Sequence, residues 1–334
     1  MNTKRENLFK RNKDLEELLI EINNIFGKID SGVLPNIEKP NYPIILINGV
    51  ARSGTTLLMQ WLANRGCFSY PTNLLSRFYG SPFIGAKIQQ LLFDIKYNFN
   101  NELYNFSNKI EYSSSLGKTK GPLAPNEFWY FWRRFFDFKD IQILTKDQEK
   151  NVDAKTFISE IAAIENVFNK PFVMKGMIVN WNLPFISTIS DKILFIHIKR
   201  EPVHNIRSLL SAREKYFGNI KTWYSFKPPE YEKLKILTPI EQVAGQIFLT
   251  NNAISNGLRS IDRNRWIEID YEMLCREPEH IFKKIRKMFL NNGFQFDYKY
   301  KGAKNFINGN NLDLLDKKVE FYKEIYNEIS KNEF

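Results

Sequence analysis

The chain is poor in several things, and each shortage excludes a class of protein. It has two cysteines in 334 residues, Cys67 and Cys275. Their spacing fits neither a zinc site nor a redox pair, so no disulfide framework is expected and a reducing compartment suits the chain. No apolar run approaches the roughly 18 residues that a membrane-spanning helix needs. The N-terminus, MNTKRENLFKRNKDLEELLIEINNIF, lacks the continuous apolar core of a secretory signal. These absences read as a soluble, cytoplasmic protein. Acidic residues are also short: 37 Asp and Glu stand against 48 Lys and Arg, a net charge of +11. That sign favours polyanionic ligands, anionic glycans or anionic membrane surfaces, without choosing among them. No solenoid period is visible.

What is present is enough for one large core, with 43% hydrophobic and 15% aromatic residues. Leu8, Leu15, Leu18, Leu19, Ile22, Ile25 and Phe26 recur at helical spacing among charges, which predicts an amphipathic helix over 5–26, outside the main core. It reads as a packing helix, with a partner or membrane helix as the alternative. SGVLPNIEKPNYP (31–43) reads as a linker. The expected organisation is an N-terminal helix and linker over 1–40 and a single domain over 41–334.

Short apolar runs then alternate with helical periodicity. Strands are predicted at 43–49, 171–175, 192–198 and 265–270, and helices at 54–65, 202–213, 239–260 and 278–291. Continuously apolar strands separated by helices predict an α/β fold, a central parallel β-sheet flanked by helices in three layers. Between about 66 and 145 the pattern weakens and aromatics collect, notably in NEFWYFWRRFFDF (126–138), so this region reads as a lid or insertion on one rim of the sheet. The aromatic stretch reads either as a buried helix with Arg133 and Arg134 at the surface or as a wall facing a sugar or lipid.

The stretch ILINGVARSGTT (45–56) has the frame of a P-loop without its lysine. A strand ending at Gly49, a tight turn and a helix opening near Gly54 bring backbone N–H groups to one point, backed by the positive end of the helix dipole. Thr55 and Thr56 add hydroxyls, and Arg52 supplies the charge. P-loop kinases and NTPases also need a carboxylate at a strand end to hold magnesium. Here KILFIHIKREP ends its strand in Lys199 and Arg200, which repel a metal and attract an anion. Asp270 is the one residue that could mimic a metal-holding aspartate, and capping or ion pairing is the alternative for it. No metal site is expected. A second anion site is expected where Arg200 precedes Pro202 at a helix start, with Ser208 eight residues on.

GVARSGTTLL and LFIHIKREPVHNIRSLLSAREKYF together resemble the two nucleotide signatures of the sulfotransferases that use 3'-phosphoadenosine 5'-phosphosulfate. PFVMKGM is similar to the family's middle strand, and IEIDYEMLCREPEHIFKKIRKMFL to its late strand, loop and helix. The resemblance runs from about residue 44 to at least 290. It implies that Arg52, Ser53, Gly54, Thr55 and Thr56 hold the 5'-phosphosulfate, and that Arg200 and Ser208 hold the 3'-phosphate. It places Lys175 near the sulfonate and Tyr271 and Glu272 in the family's YE pair. A late basic loop, KYKGAKNF (299–306) with Lys304, would close over the 3'-phosphate. The implied donor is the phosphosulfate, the product adenosine 3',5'-bisphosphate, and no metal is used. A sulfonyl group carries one negative charge fewer than a terminal phosphoryl group, so Arg52, Lys175 and backbone N–H groups could stabilise its transfer without magnesium.

One part of the family pattern is missing. Relatives place a catalytic Glu or His about 20 residues after the loop, and here that neighbourhood reads Thr72-Asn73, neither of which is a general base. Glu127 is the preferred base, because an acid among bulky apolar side chains is partly desolvated toward a useful pKa. A salt bridge from Glu127 to Arg133 or Arg134 is the alternative. His197 lies within an apolar strand as a core histidine, and His204 and His280 sit at helix starts. The expected acceptor is a small molecule or glycan hydroxyl, a saccharide or a glycolipid reached by peripheral membrane contact, with no nucleic-acid partner. The rival readings are a P-loop small-molecule kinase and a nucleotide-binding relative without transfer activity.

Overall fold

The computed structural model describes residues 5, 6, 9–33, 39–98, 100, 102, 110–310 and 317–331. Of the predicted features, Leu8, part of the linker and a few positions of the aromatic-rich region lie outside these residues. In chain order the elements are α1 (Lys13–Val33), β1 (Ile44–Asn48), α2 (Thr55–Asn64), α3 (Pro82–Phe93), α4 (Trp129–Phe135), α5 (Lys146–Lys150), α6 (Ala154–Phe168), β2 (Phe172–Lys175), α7 (Leu183–Ile189), β3 (Ile193–Lys199), α8 (Pro202–Phe217), α9 (Tyr231–Leu234), α10 (Pro239–Arg259), β4 (Trp266–Asp270), α11 (Tyr271–Arg276), α12 (Pro278–Asn291) and α13 (Lys317–Lys331).

The four strands form one parallel sheet in the order β2-β1-β3-β4. Successive residues of β1 point to opposite faces, and both faces are covered, which is why its sequence IILIN is buried throughout. Ile44, Leu46, Phe172, Met174 and Phe195 pack on one side against α4, α6 and α7. Ile45, Ile47, Val173, Leu194 and Ile196 pack on the other against α2, α11 and α12. A third cluster joins α8, α10 and α13 over Val50. This is the expected three-layer α/β architecture. Because β1 lies between β2 and β3, the chain reverses direction across it, and the carboxyl ends of these strands open a crevice at that switch point.

Helix starts follow local chemistry. Thr238 and Glu241 form a capping box before α10, with Pro239 as its first residue. Pro202 and Pro278 open α8 and α12. The N-terminal helix departs from the reading over 5–26, because it begins at Lys13 and runs to Val33, into the expected linker. Its docking explains the extension. The buried Asn23 amide donates to Arg77 O and accepts from Gly80 N, and the buried Asp30 carboxylate accepts from Phe83 N and Ile84 N at the start of α3. Ser81, the residue before α3, gives it no side-chain cap, so Asp30 caps that helix from another element. In the aromatic stretch Phe128, Phe131, Trp132 and Phe136 are core residues, while Trp129 is half-buried and Tyr130 exposed.

Candidate active site

The turn after β1 is shaped by two glycines. A Cβ at Gly49 would lie 2.7 Å from Ile198 O and 2.8 Å from Ser53 Oγ, so only glycine fits between the loop and β3. Gly54 has φ +104°, and a Cβ there would meet the Tyr271 ring at 2.4 Å. Arg52 is also left-handed, with φ 69°. Left-handed residues in a tight turn aim backbone N–H groups inward, the geometry of an anion-binding nest. Ser53 N donates to Val50 O at 3.1 Å, and Asn205 of α8 braces the loop by donating to Ala51 O at 3.0 Å. The Ser53 hydroxyl is buried with no hydrogen-bond partner among the described residues, as a cradle made for an oxyanion would leave it.

Lys175, at the end of β2, is brought beside this loop by the register that pairs it with Ile47. Its side chain is 3% exposed, and Nζ donates to Thr56 Oγ1 and to Glu127 Oε1, each at 2.8 Å. Its backbone is fixed from both sides. Trp132 Nε1 donates to Lys175 O at 3.2 Å, and Gly176 N donates to Ile47 O at 2.8 Å. A buried amide pair adds to this: Asn48 donates to Gly176 O and to Asn180 Oδ1, and Asn180 donates to Gly49 O. The phosphate loop and the strand end bearing Lys175 are thereby tied together. Glu127 is carried in just before α4, where Phe128 N donates to Asn126 Oδ1 at 2.9 Å. Its partner is Lys175 and not Arg133 or Arg134. Arg134 makes a two-pronged pair with Glu160, at 2.7 and 2.8 Å.

The second basic strand end divides its two cations. Lys199 pairs with Glu268 at 2.6 Å, and the Glu268 carboxyl is pulled down to about 2, first by its bond to His197 and then by Lys199. Arg200 lies over the Tyr271 ring, 4.6 Å from its centroid. It donates to Arg52 O at 3.1 Å and to Asn310 Oδ1 at 2.7 and 2.9 Å. Burial lowers the Arg200 guanidinium from its ordinary value, and Arg52 acts the same way while Tyr271 and Glu272 oppose. A cation stripped of water gains from an anion that reaches it. Ser208 accepts from Arg52 Nε at 3.2 Å, so Arg52 stands between Arg200 and Ser208 and both flank the loop. Glu272 accepts from Asn310 at 2.8 Å.

Other predicted residues fall elsewhere. Lys304 is exposed, and its loop touches Trp61, Arg65 and Cys275 through Tyr300, Lys301 and Phe306; among the described residues the late segment meets Arg200 at Gly309 and Asn310. Asn73 is a brace: its amide donates to Thr119 O and Gly121 O and accepts from Asn126. Thr72 is buried against Gln89. His197 is fully buried between Asn251 and Glu268, the core histidine expected. His204 is half-buried, its pKa lowered by burial and then by Arg200, and His280 is exposed. Asp270 caps α11 by position, without a side-chain bond.

Asn48, Asn180 and Tyr224 were not legible as site residues. Tyr224 packs beside Val50 and Ala51 within electrostatic reach of both Arg52 and Glu127, and burial pushes its phenol up to about 12, so it stays a neutral donor. A polar Asn closing the apolar run IILIN was the one signal available for this group.

A loop cradle, a buried lysine and a flanking arginine at the switch point of a parallel sheet define an anion-binding α/β transferase site. The chain belongs to the sulfotransferase family, whose model matches residues 43–290. It is similar to the sulfotransferase domain of the Synechococcus PCC 7002 olefin synthase, with 16% identity over 89% of this chain and 97% of that one and a TM-score of 0.40. It is also similar to the sulfotransferase STF1 from Mycobacterium tuberculosis H37Rv, with 12% identity over 91% and 80% and a TM-score of 0.48. No curated protein sequence gives a significant match.

Proposed function

We propose that this sulfotransferase takes its sulfonyl group from 3'-phosphoadenosine 5'-phosphosulfate and passes it to a hydroxyl of a saccharide or glycolipid. The observation that carries the reading is Lys175 Nζ, held between Thr56 of the phosphate loop and Glu127. One cation thus touches both the donor cradle and the acid that faces the acceptor. In this reading Glu127 takes the acceptor hydroxyl proton as the new S–O bond forms. The bond from sulfur to the bridging oxygen breaks, and charge on that oxygen is met by Lys175, Arg52 and loop N–H groups. The products are a sulfate ester and adenosine 3',5'-bisphosphate, whose 3'-phosphate is assigned to Arg200 and Ser208, and no divalent metal takes part. The proposal includes a cytoplasmic setting, peripheral membrane contact where the acceptor is a glycolipid, and no nucleic-acid partner.

Thermal shift tests the donor. Adenosine 3',5'-bisphosphate should raise the melting temperature, by a stabilisation of about 2.7 kcal/mol at one hundred times its Kd. Stabilisation by ATP with magnesium alone would overturn the reading in favour of a kinase.

A further inference from the structure

Glu127 lies in the lining of a cleft of about 670 Å³. Leu15 and Leu19 of α1 line the cleft too, so the N-terminal helix, fixed by Asn23 and Asp30, is part of its wall. Phe128, Trp129 and Tyr130 follow Glu127 along it. The surface is more apolar than polar, which suits a ligand with an apolar body.

Its charges are unbalanced. Glu127 is the one acid in the lining, and Lys175 already pairs with it. Arg77 and Lys118 also line the cleft, are exposed, and have no side-chain hydrogen bond or ion pair among the described residues. A solvated surface cation is ordinary. Two of them in the cleft that Glu127 lines, with no further acid to oppose them there, set the sign of what that cleft accepts.

We propose that this cleft is the acceptor subsite, and that it selects hydroxyl acceptors bearing a carboxylate or phosphate beside an apolar body that lies against α1. The assignment rests on Glu127 and Lys175 being the transfer centre. The anion is held by Arg77 and Lys118, which leaves the hydroxyl to reach Glu127.

Three probes with one aromatic body separate the possibilities: 4-nitrophenyl β-glucoside, the corresponding glucuronide, and the glucoside 6-phosphate. Titration calorimetry should show one or both anionic probes binding about tenfold tighter than the glucoside, the scale of two charge-assisted contacts from exposed side chains. Whichever leads identifies carboxylate or phosphate as the preferred group. The Arg77→Ala/Lys118→Ala double variant should bring all three to within about twofold, and Leu15→Gln should weaken all three together. Equal binding of the three by the parent protein, a preference that survives the double variant, or no binding of any probe overturns the proposal. Adenosine 3',5'-bisphosphate is titrated into the same samples and should bind the parent and the double variant alike. If the parent fails to bind it, the donor reading falls, while the glycoside comparison still decides the subsite.

Discussion

At the scale of single residues, the proposed function separates groups assigned to the transferred sulfonyl from groups assigned to the donor. Lys175→Ala removes the cation shared by Thr56 and Glu127, and turnover should fall by about a hundredfold or more. Its affinity for adenosine 3',5'-bisphosphate should change by less than about threefold, because the loop and Arg200 remain. Single-turnover kinetics beside calorimetry check both. Glu127→Gln should lose about 10²-fold or more in turnover with donor binding intact, and undiminished turnover would remove Glu127 from the base role. Arg200→Ala should weaken the bisphosphate about tenfold to a hundredfold but adenosine 5'-phosphate far less, since only the former carries the 3'-phosphate assigned to Arg200. Equal losses would refute that assignment.

At the scale of elements, α6 carries a titrating strut. Its fully buried Glu165 accepts from Asn41 N and Tyr42 N just before β1, and burial raises its carboxyl to about 7 from 4.5. A folded-state pKa above the unfolded one means that the folded chain binds the proton more tightly. Stability from this group is therefore greatest below about pH 4.5 and is lost as pH rises through about 7, a swing of about 3 kcal/mol. Glu165→Gln should gain on the parent by that order between pH 5 and 8 in urea unfolding, and a constant difference would contradict the assignment. β1 and β2 were legible as short apolar runs, β3 as an apolar run holding one histidine and β4 by its alternation in WIEID, and α8, α10 and α12 because proline opens them. α1 was framed too early, since the Gly and Pro of 31–43 read as a linker and its anchors, Asn23 and Asp30, bond to segments more than 50 residues away. Such pairings leave no local trace. The same holds for Glu127 and Lys175, 48 residues apart: each was a candidate alone, but their contact depends on how α4 docks on β2.

At the scale of the molecule, the net charge of +11 has the sign that favours the anionic donor proposed above. Bisphosphate affinity should fall as salt is raised from about 0.05 to 0.5 M, through screening of the exposed part of that field. Transfer should persist in EDTA, and activity restored only by magnesium would return the kinase reading. No helix among the described residues is long and apolar enough to cross a membrane. Trp132 of the aromatic helix is bonded to the carbonyl of Lys175, which joins that helix to the end of β2. Gly49 is closed in by the backbone carbonyl of Ile198 and by the Ser53 hydroxyl, whereas Gly32 has no heavy atom within 4 Å of where its Cβ would stand. Under selection for sulfation these two glycines should drift at opposite rates. A randomised library should return Gly49 unchanged in every survivor while Gly32 accepts alanine and polar residues freely, because a Cβ has no room at the first and open space at the second.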